Sequence, residues 1–169
     1  MASIVPSVHR GSRILVVDDE ENVRLSLSVI LQKKGYAVEI ASGGREAIAR
    51  IASEPFDLVL TDLSMTDADG LEVLAAVRRE QPETIGIVLT GFASLDSAIE
   101  AIRRGAYDYL AKPANVEDML LTIDRGLERR RLALDLKRRN EELDTLNRLA
   151  HLGIGKALQS TKDLGAALA

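Results

Sequence analysis

Between Arg13 and Ala111 the chain alternates two textures, and this alternation limits its folds more than any other feature. Five short runs are rich in β-favouring residues: RILVV (13–17), YAVEIA (36–41), DLVLT (57–61), TIGIVLT (84–90) and YDYLA (107–111). Between them lie helical patterns at about 20–34, 43–53, 70–80 and 94–104, punctuated by Gly35, Pro55, Pro82 and Gly105. A helix between successive strands is the connection that parallel pairing needs, so the pattern predicts an α/β fold: a parallel sheet with helices on both faces. Runs 1, 3 and 4 are almost wholly apolar, as strands buried on both faces must be. YDYLA alternates more and suits an edge.

In such sheets ligands bind beyond the carboxyl ends of the strands. Asp18 and Asp19 follow the first run, Asp62 the third, Thr90 and Gly91 end the fourth, and Lys112 and Pro113 follow the fifth. Three carboxylates brought together repel one another, and a hard divalent cation with oxygen ligands relieves this; Mg²⁺ fits best. A carboxylate beside Mg²⁺ and a lysine ammonium can attack a phosphoryl group and carry it as an acyl phosphate. Lys112 would balance charge on the phosphoryl oxygens, Thr90 would hydrogen-bond another of them, and Gly91 would leave space for the group.

Composition removes several alternatives. The chain has 169 residues, 46% hydrophobic and 3% aromatic, with no Cys and no Trp. Disulfides and thiolate metal sites are thus excluded, and a reducing cytoplasm is the expected location. No apolar stretch approaches the length of a membrane span. MASIVPSVHR lacks the apolar region of a signal peptide, so residues 1–12 are expected to be a flexible lead-in. Residues 1–115 carry 12 basic and 17 acidic side chains, a poor surface for nucleic acid.

The motifs VVDDE (16–20), LTDLSM (60–65), VLTGFAS (88–94) and YDYLAKP (107–113), in this order and spacing, resemble the receiver domain of two-component response regulators. The resemblance implies a flavodoxin-like five-stranded parallel sheet of order 2-1-3-4-5. It implies that Asp62 is the phosphoacceptor, with a sensor histidine kinase as phosphodonor and slow loss of the group to water. Asp18, Asp19, Asp62 and the Ser64 carbonyl would form the Mg²⁺ site, Asp19 binding directly and Asp18 largely through water. Thr90 and Tyr109 would be the switch pair, Lys112 the phosphoryl-contacting lysine, and Lys112–Pro113 a cis peptide. Water passing Ser64 and Phe92 would set the acyl-phosphate lifetime. The chain departs from the family at Met65-Thr66, where Met-Pro is frequent, so the acceptor loop is expected to be looser.

Other readings of these residues are weaker. DADG (67–70) suggests a calcium loop, but its first and twelfth positions would be Met65 and Ala76. Asp67 is expected to be a solvated turn residue and Asp69 a helix cap. His9 is expected to be inert, and His151 lacks the neighbours of a kinase phosphoacceptor. An aspartyl-phosphate hydrolase would need a second acid where Ser64 stands. The alternative function is an unphosphorylated interaction or dimerisation module with a vestigial pocket.

From Asn115 the pattern is helical. Leu120, Ile123, Leu127 and Leu134 share one stripe; Leu132, Leu136, Leu143, Leu146 and Ala150 share another, out of phase with the first. We therefore expect a receiver at 13–126, then a helical or coiled-coil linker at 127–152 that makes a parallel homodimer, with Arg139 interrupting its core and a bend at Gly126. LGIGKALQSTKDLGAALA resembles the opening helix of a GAF sensory domain, which implies that 153–169 begins an output or sensory domain, with a turn at 159–163.

Overall fold

A computed structural model describes residues 9–91 and 93–167. In chain order the elements are β1 (Arg13–Val17), α1 (Glu21–Lys33), β2 (Ala37–Ala41), α2 (Gly44–Ser53), β3 (Leu58–Thr61), α3 (Gly70–Glu80), β4 (Ile85–Thr90), α4 (Leu95–Arg103), β5 (Asp108–Ala111) and α5 (Val116–Ala167). The strands form one parallel sheet of order β2-β1-β3-β4-β5. The sheet starts with β1 and adds strands to both sides, so a crevice opens at the carboxyl end where the winding reverses, between β1 and β3.

Strand burial follows the apolar texture. β3 and β4 are buried throughout, and β1 is buried from its second residue; β2 and β5, the edges, are largely half-buried. α1 and α5 cover one face, where Leu31, Met119 and Ile123 pack on Ile14, Leu58 and Ile87. The other face carries α2 and α3, with Ile51, Val73 and Val77 on Leu15 and Val59, and α4, whose Ala101 meets Val88. Ile123 is fully buried, and such a side chain contributes about 1.5–3 kcal/mol.

Local chemistry sets the helix ends. Asp69 accepts the Glu72 N–H while Glu72 reaches back to Asp69, a reciprocal cap on α3, and Ser94 and Ser97 do the same for α4. Gly35 and Gly105 adopt positive φ where α1 and α4 end.

Two compact units are distinguished, Met1–Arg131 and Leu132–Ala169. The first runs past the boundary expected at 126. Leu127 is buried, and Arg130 pairs with Asp57 at 2.8 Å. Gly126 makes no bend: α5 is continuous, and a Cβ there would meet Ile85 Cγ2 at 2.9 Å and the Tyr107 ring at 3.4 Å. The glycine is a close-packing position. Tyr36 donates its hydroxyl to Asp124, and Arg129 stacks on Tyr107. His9 makes contacts in this unit: its Nε2 lies 3.5 Å from Glu128 and its carbonyl accepts the Ser12 N–H. Residues 1–8 of the expected lead-in lie outside the described residues.

In the second unit the helix shows no turn at 159–163: QSTKD contains no proline, so every backbone donor is kept, and the Thr161 hydroxyl is accommodated by donating to the Ala157 carbonyl. Leu132, Leu136, Leu143 and Leu146 are 55–62% exposed, so the second stripe is unburied within the chain. Among the described residues no helix is long and apolar enough to cross a membrane.

Candidate functional site

The carboxyl ends of β1, β3, β4 and β5 bring together the residues singled out in the sequence. Asp18, Asp19 and Asp62 each offer a carboxylate oxygen within 4.8 Å of the others. Asp18 and Asp62 are 1% and 6% exposed, and Asp19 is half-buried. Such crowding of buried charge is costly unless cations face it. One does: Lys112 Nζ lies 2.5 Å from Asp18 Oδ2 and 3.9 Å from Asp62 Oδ2.

The backbone fixes these side chains. The Asp62 N–H continues the ladder to the Val17 carbonyl, and the Lys112 N–H donates to the Thr90 carbonyl, so both residues keep strand register past the strand ends. Asp62 Oδ1 accepts the Leu63 N–H at 2.8 Å, and Asp18 Oδ1 accepts the Glu20 N–H at 2.9 Å. Arg24 donates to the Asp18 carbonyl at 2.6 Å. Both Asp18 oxygens are therefore engaged, and Asp62 Oδ2 faces the Lys112 ammonium at the longer distance of 3.9 Å. The Lys112–Pro113 peptide is cis.

The donor set among the described residues is chemically suited to a hard cation: three carboxylates, with an excess of negative charge that one lysine does not cancel. Ser64 is exposed in the loop after Asp62. Thr90 is fully buried at the end of β4. Among the described residues, chain neighbours aside, nothing lies within 4 Å of where a Gly91 side chain would stand. Tyr109 pairs in register with Val88, which puts its ring on the same sheet face as Thr90; its hydroxyl is 2.7 Å from Ser97 Oγ in the first turn of α4. Phe92 lies outside the described residues.

Asp67 is exposed in the loop after β3, as expected, and has a further role. Its carboxylate accepts the Gly44 N–H at 2.9 Å and the Arg45 N–H at 3.1 Å, so it caps α2 from another loop. These backbone donors, Arg45 first, hold its pKa below the usual carboxylate range. No local pattern signals this, because cap and helix are far apart in the chain. Arg24 and Ser97 were also missed: each looks like an ordinary helix-surface residue until its partner is known.

Residues 14–124 match the response regulator receiver domain family. Regulatory protein AtoC of Escherichia coli (strain K12) is 33% identical over 141 residues, which are 83% of this chain and 31% of AtoC. Acid tolerance regulatory protein ActR of Rhizobium meliloti (strain 1021) is 38% identical over 110 residues, 65% of this chain and 57% of ActR. The chain thus spans less than two thirds of either relative. Among solved structures, a receiver domain protein (CheY-like) from Methanospirillum hungatei JF-1 has a TM-score of 0.71 at 36% identity, covering 73% of this chain and 98% of that one. The beryllofluoride-activated NtrC4 receiver domain dimer has a TM-score of 0.66 at 42% identity, covering 70% and 98%.

Proposed function

This chain belongs to the response regulator receiver domain family, and from that premise we propose that Asp62 accepts a phosphoryl group from a partner histidine kinase in a Mg²⁺-dependent reaction. The observation that carries the proposal is the closeness of Asp18, Asp19 and Asp62 with the Lys112 ammonium 3.9 Å from Asp62 Oδ2. Asp62 Oδ2 attacks phosphorus. The new O–P bond forms as the P–N bond of the phosphohistidine breaks, and the electron pair returns to the ring nitrogen. With a small donor such as acetyl phosphate, a P–O bond breaks instead and acetate leaves.

Asp19, Asp62 and the Ser64 carbonyl would hold Mg²⁺, with Asp18 acting through water because Glu20 and Lys112 already occupy its oxygens. The ion would supply charge neutralisation for the transferring group. Lys112 then pairs with a phosphoryl oxygen, and the Leu63 N–H keeps Asp62 turned for attack. The new dianion draws the Thr90 hydroxyl, and the Tyr109 ring fills the space vacated, giving up Ser97. In this reading α4 and β5 change their surface, and the change passes to a linker and an output region. The unburied Leu132–Leu136–Leu143–Leu146 stripe supports a parallel homodimer through the C-terminal helix.

The test is intact mass after acetyl phosphate treatment. One phosphoryl group is expected on the wild type with Mg²⁺, and none on Asp62→Asn or in EDTA. An adduct that survives Asp62→Asn would overturn the assignment.

A further inference from the structure

The loop from Leu63 to Asp69 follows Asp62 directly and contains Ser64, the proposed carbonyl ligand, yet its sequence gives it little inherent stiffness. Ser64 and Thr66 are exposed, and no proline restricts residues 63–69. Something else must set its path. At its far end the Gly70 N–H bonds the Leu63 carbonyl at 2.9 Å, and Asp69 caps α3. Met65 packs against the core cluster of Ile51, Val73 and Val77, and Ala68 is buried; the polar tie in this stretch is Asp67. Its Oδ1 accepts from Gly44 and from Ala68 at 2.9 and 2.8 Å, and its Oδ2 accepts from Arg45 at 3.1 Å. α2 has no side-chain cap from its own N-cap residue, Gly43, so Asp67 supplies the missing acceptor.

The glycines at the start of α2 make room for this tie. A Cβ on Gly43 would lie 2.7 and 2.8 Å from the two Asp67 oxygens, and one on Gly44 would lie 2.3 Å from the Ala68 carbonyl oxygen. Gly43 has φ −175° and ψ 172°, extended backbone that any residue adopts. Space, and not backbone conformation, is what the glycine provides there. The loop is seated directly on the α2 N-terminus, and the seat fits only an unbranched backbone.

We infer that Asp67 is a positioning residue for phosphoryl acceptance: by capping α2 from across the sheet edge it fixes the path of residues 63–66, and with it the Ser64 peptide beside the acidic cluster. The inference rests on the reading of Asp62 as acceptor. Asp67 touches none of the reacting atoms and acts through the loop. A residue that merely stabilised α2 would leave metal binding in the folded chain untouched; one that positions a ligand-bearing peptide would not.

Mg²⁺ binding is measured by titration calorimetry on the full chain for wild type, Asp67→Ala, Asp67→Asn and Gly43→Ala. Acetyl phosphate phosphorylation against Mg²⁺ concentration and thermal melting in EDTA are measured alongside. Asp67→Ala is expected to bind Mg²⁺ about tenfold more weakly, the low end for losing a group that supports a metal ligand. Its phosphorylation should half-saturate at correspondingly higher Mg²⁺, with the rate at saturation little changed. Asp67→Asn keeps the Oδ1 acceptor and should fall between. Gly43→Ala should reproduce Asp67→Ala, because its methyl evicts the carboxylate without removing it; with Asp67→Asn it also carries the test should Asp67→Ala not fold. Mg²⁺ affinities equal to wild type, with only the melting temperature lowered, would overturn the inference and leave Asp67 a helix cap. A wild type phosphorylated on Asp62 with such unchanged affinities overturns only the role of Asp67. A wild type that takes no phosphoryl group, or an Asp62→Asn chain that keeps it, overturns the acceptor reading and this inference together.

Discussion

Asp62→Asn removes one charge from a crowded pocket while keeping the side-chain shape and an Oδ1 acceptor for the Leu63 N–H. With carboxylate oxygens within 4.8 Å, Asp18 and Asp19 each repel Asp62 by about 3 kcal/mol at an effective dielectric constant of about 20. The Lys112 ammonium, 3.9 Å away, returns about 4 kcal/mol on the same scale. The Asp62 charge is therefore about 2–3 kcal/mol unfavourable, and solvent at half-buried Asp19 reduces this to about 1–2 kcal/mol. For a compact unit spanning Met1–Arg131, each kcal/mol moves the melting temperature by about 3–4 °C. Asp62→Asn should thus melt about 3–8 °C above wild type in EDTA. Mg²⁺ should reverse the order. A ligand bound only by the folded chain at a hundred times its Kd adds about 2.7 kcal/mol, and the variant, one carboxylate short, gains much less. Circular dichroism melts in EDTA and in millimolar Mg²⁺ read both effects. An Asp62→Asn chain that melts below wild type in EDTA, or a wild type indifferent to Mg²⁺, would refute this electrostatic reasoning.

Gly126→Ala improves helix propensity by about 1 kcal/mol, but its methyl meets Ile85 and Tyr107 at an overpacking cost of about 1–3 kcal/mol, so urea unfolding should show a net loss of up to about 2 kcal/mol and no gain. Hydrogen bonds from Arg13, with Arg50 beside it, hold the Glu39 carboxyl below its ordinary value of 4.5. A folded value below the unfolded one gives stabilisation that is full above 4.5 and lost as pH falls through the folded value, so Glu39→Gln should flatten the acid limb of stability against pH. Tyr109→Phe loses the bond to Ser97, worth about 1 kcal/mol, and amides in the first turn of α4 should exchange faster with solvent deuterium. Arg139→Leu completes the C-terminal stripe, and sedimentation equilibrium should show self-association tighter by about tenfold or more, given about 1.5 kcal/mol for each leucine buried.

The strands and the first four helices were legible because their information is local. Apolar runs bounded by Gly, Pro and polar residues gave every strand to within a residue at each end. The site was legible for a related reason, since a parallel sheet gathers the residues after each strand on one edge, and adjacency in sequence becomes adjacency in space. What escaped depends on contacts between segments with no shared pattern. Asp67 reads as a turn residue until α2 lies beside it. Gly126 reads as a helix breaker until Ile85 and Tyr107 occupy the place of its side chain. The continuity of α5 through 159–163 escaped because Ser, Thr and Asp favour turns and caps in isolation, and a helix already nucleated carries them at small cost.

The carboxylate that receives the phosphoryl group can be identified directly. Acyl phosphates are reduced by borohydride to alcohols, so an aspartyl phosphate becomes homoserine and can be located by peptide mass. After acetyl phosphate and Mg²⁺, homoserine is predicted at position 62. Homoserine at position 18 or 19, or no conversion in a chain that has gained the mass of a phosphoryl group, would contradict it.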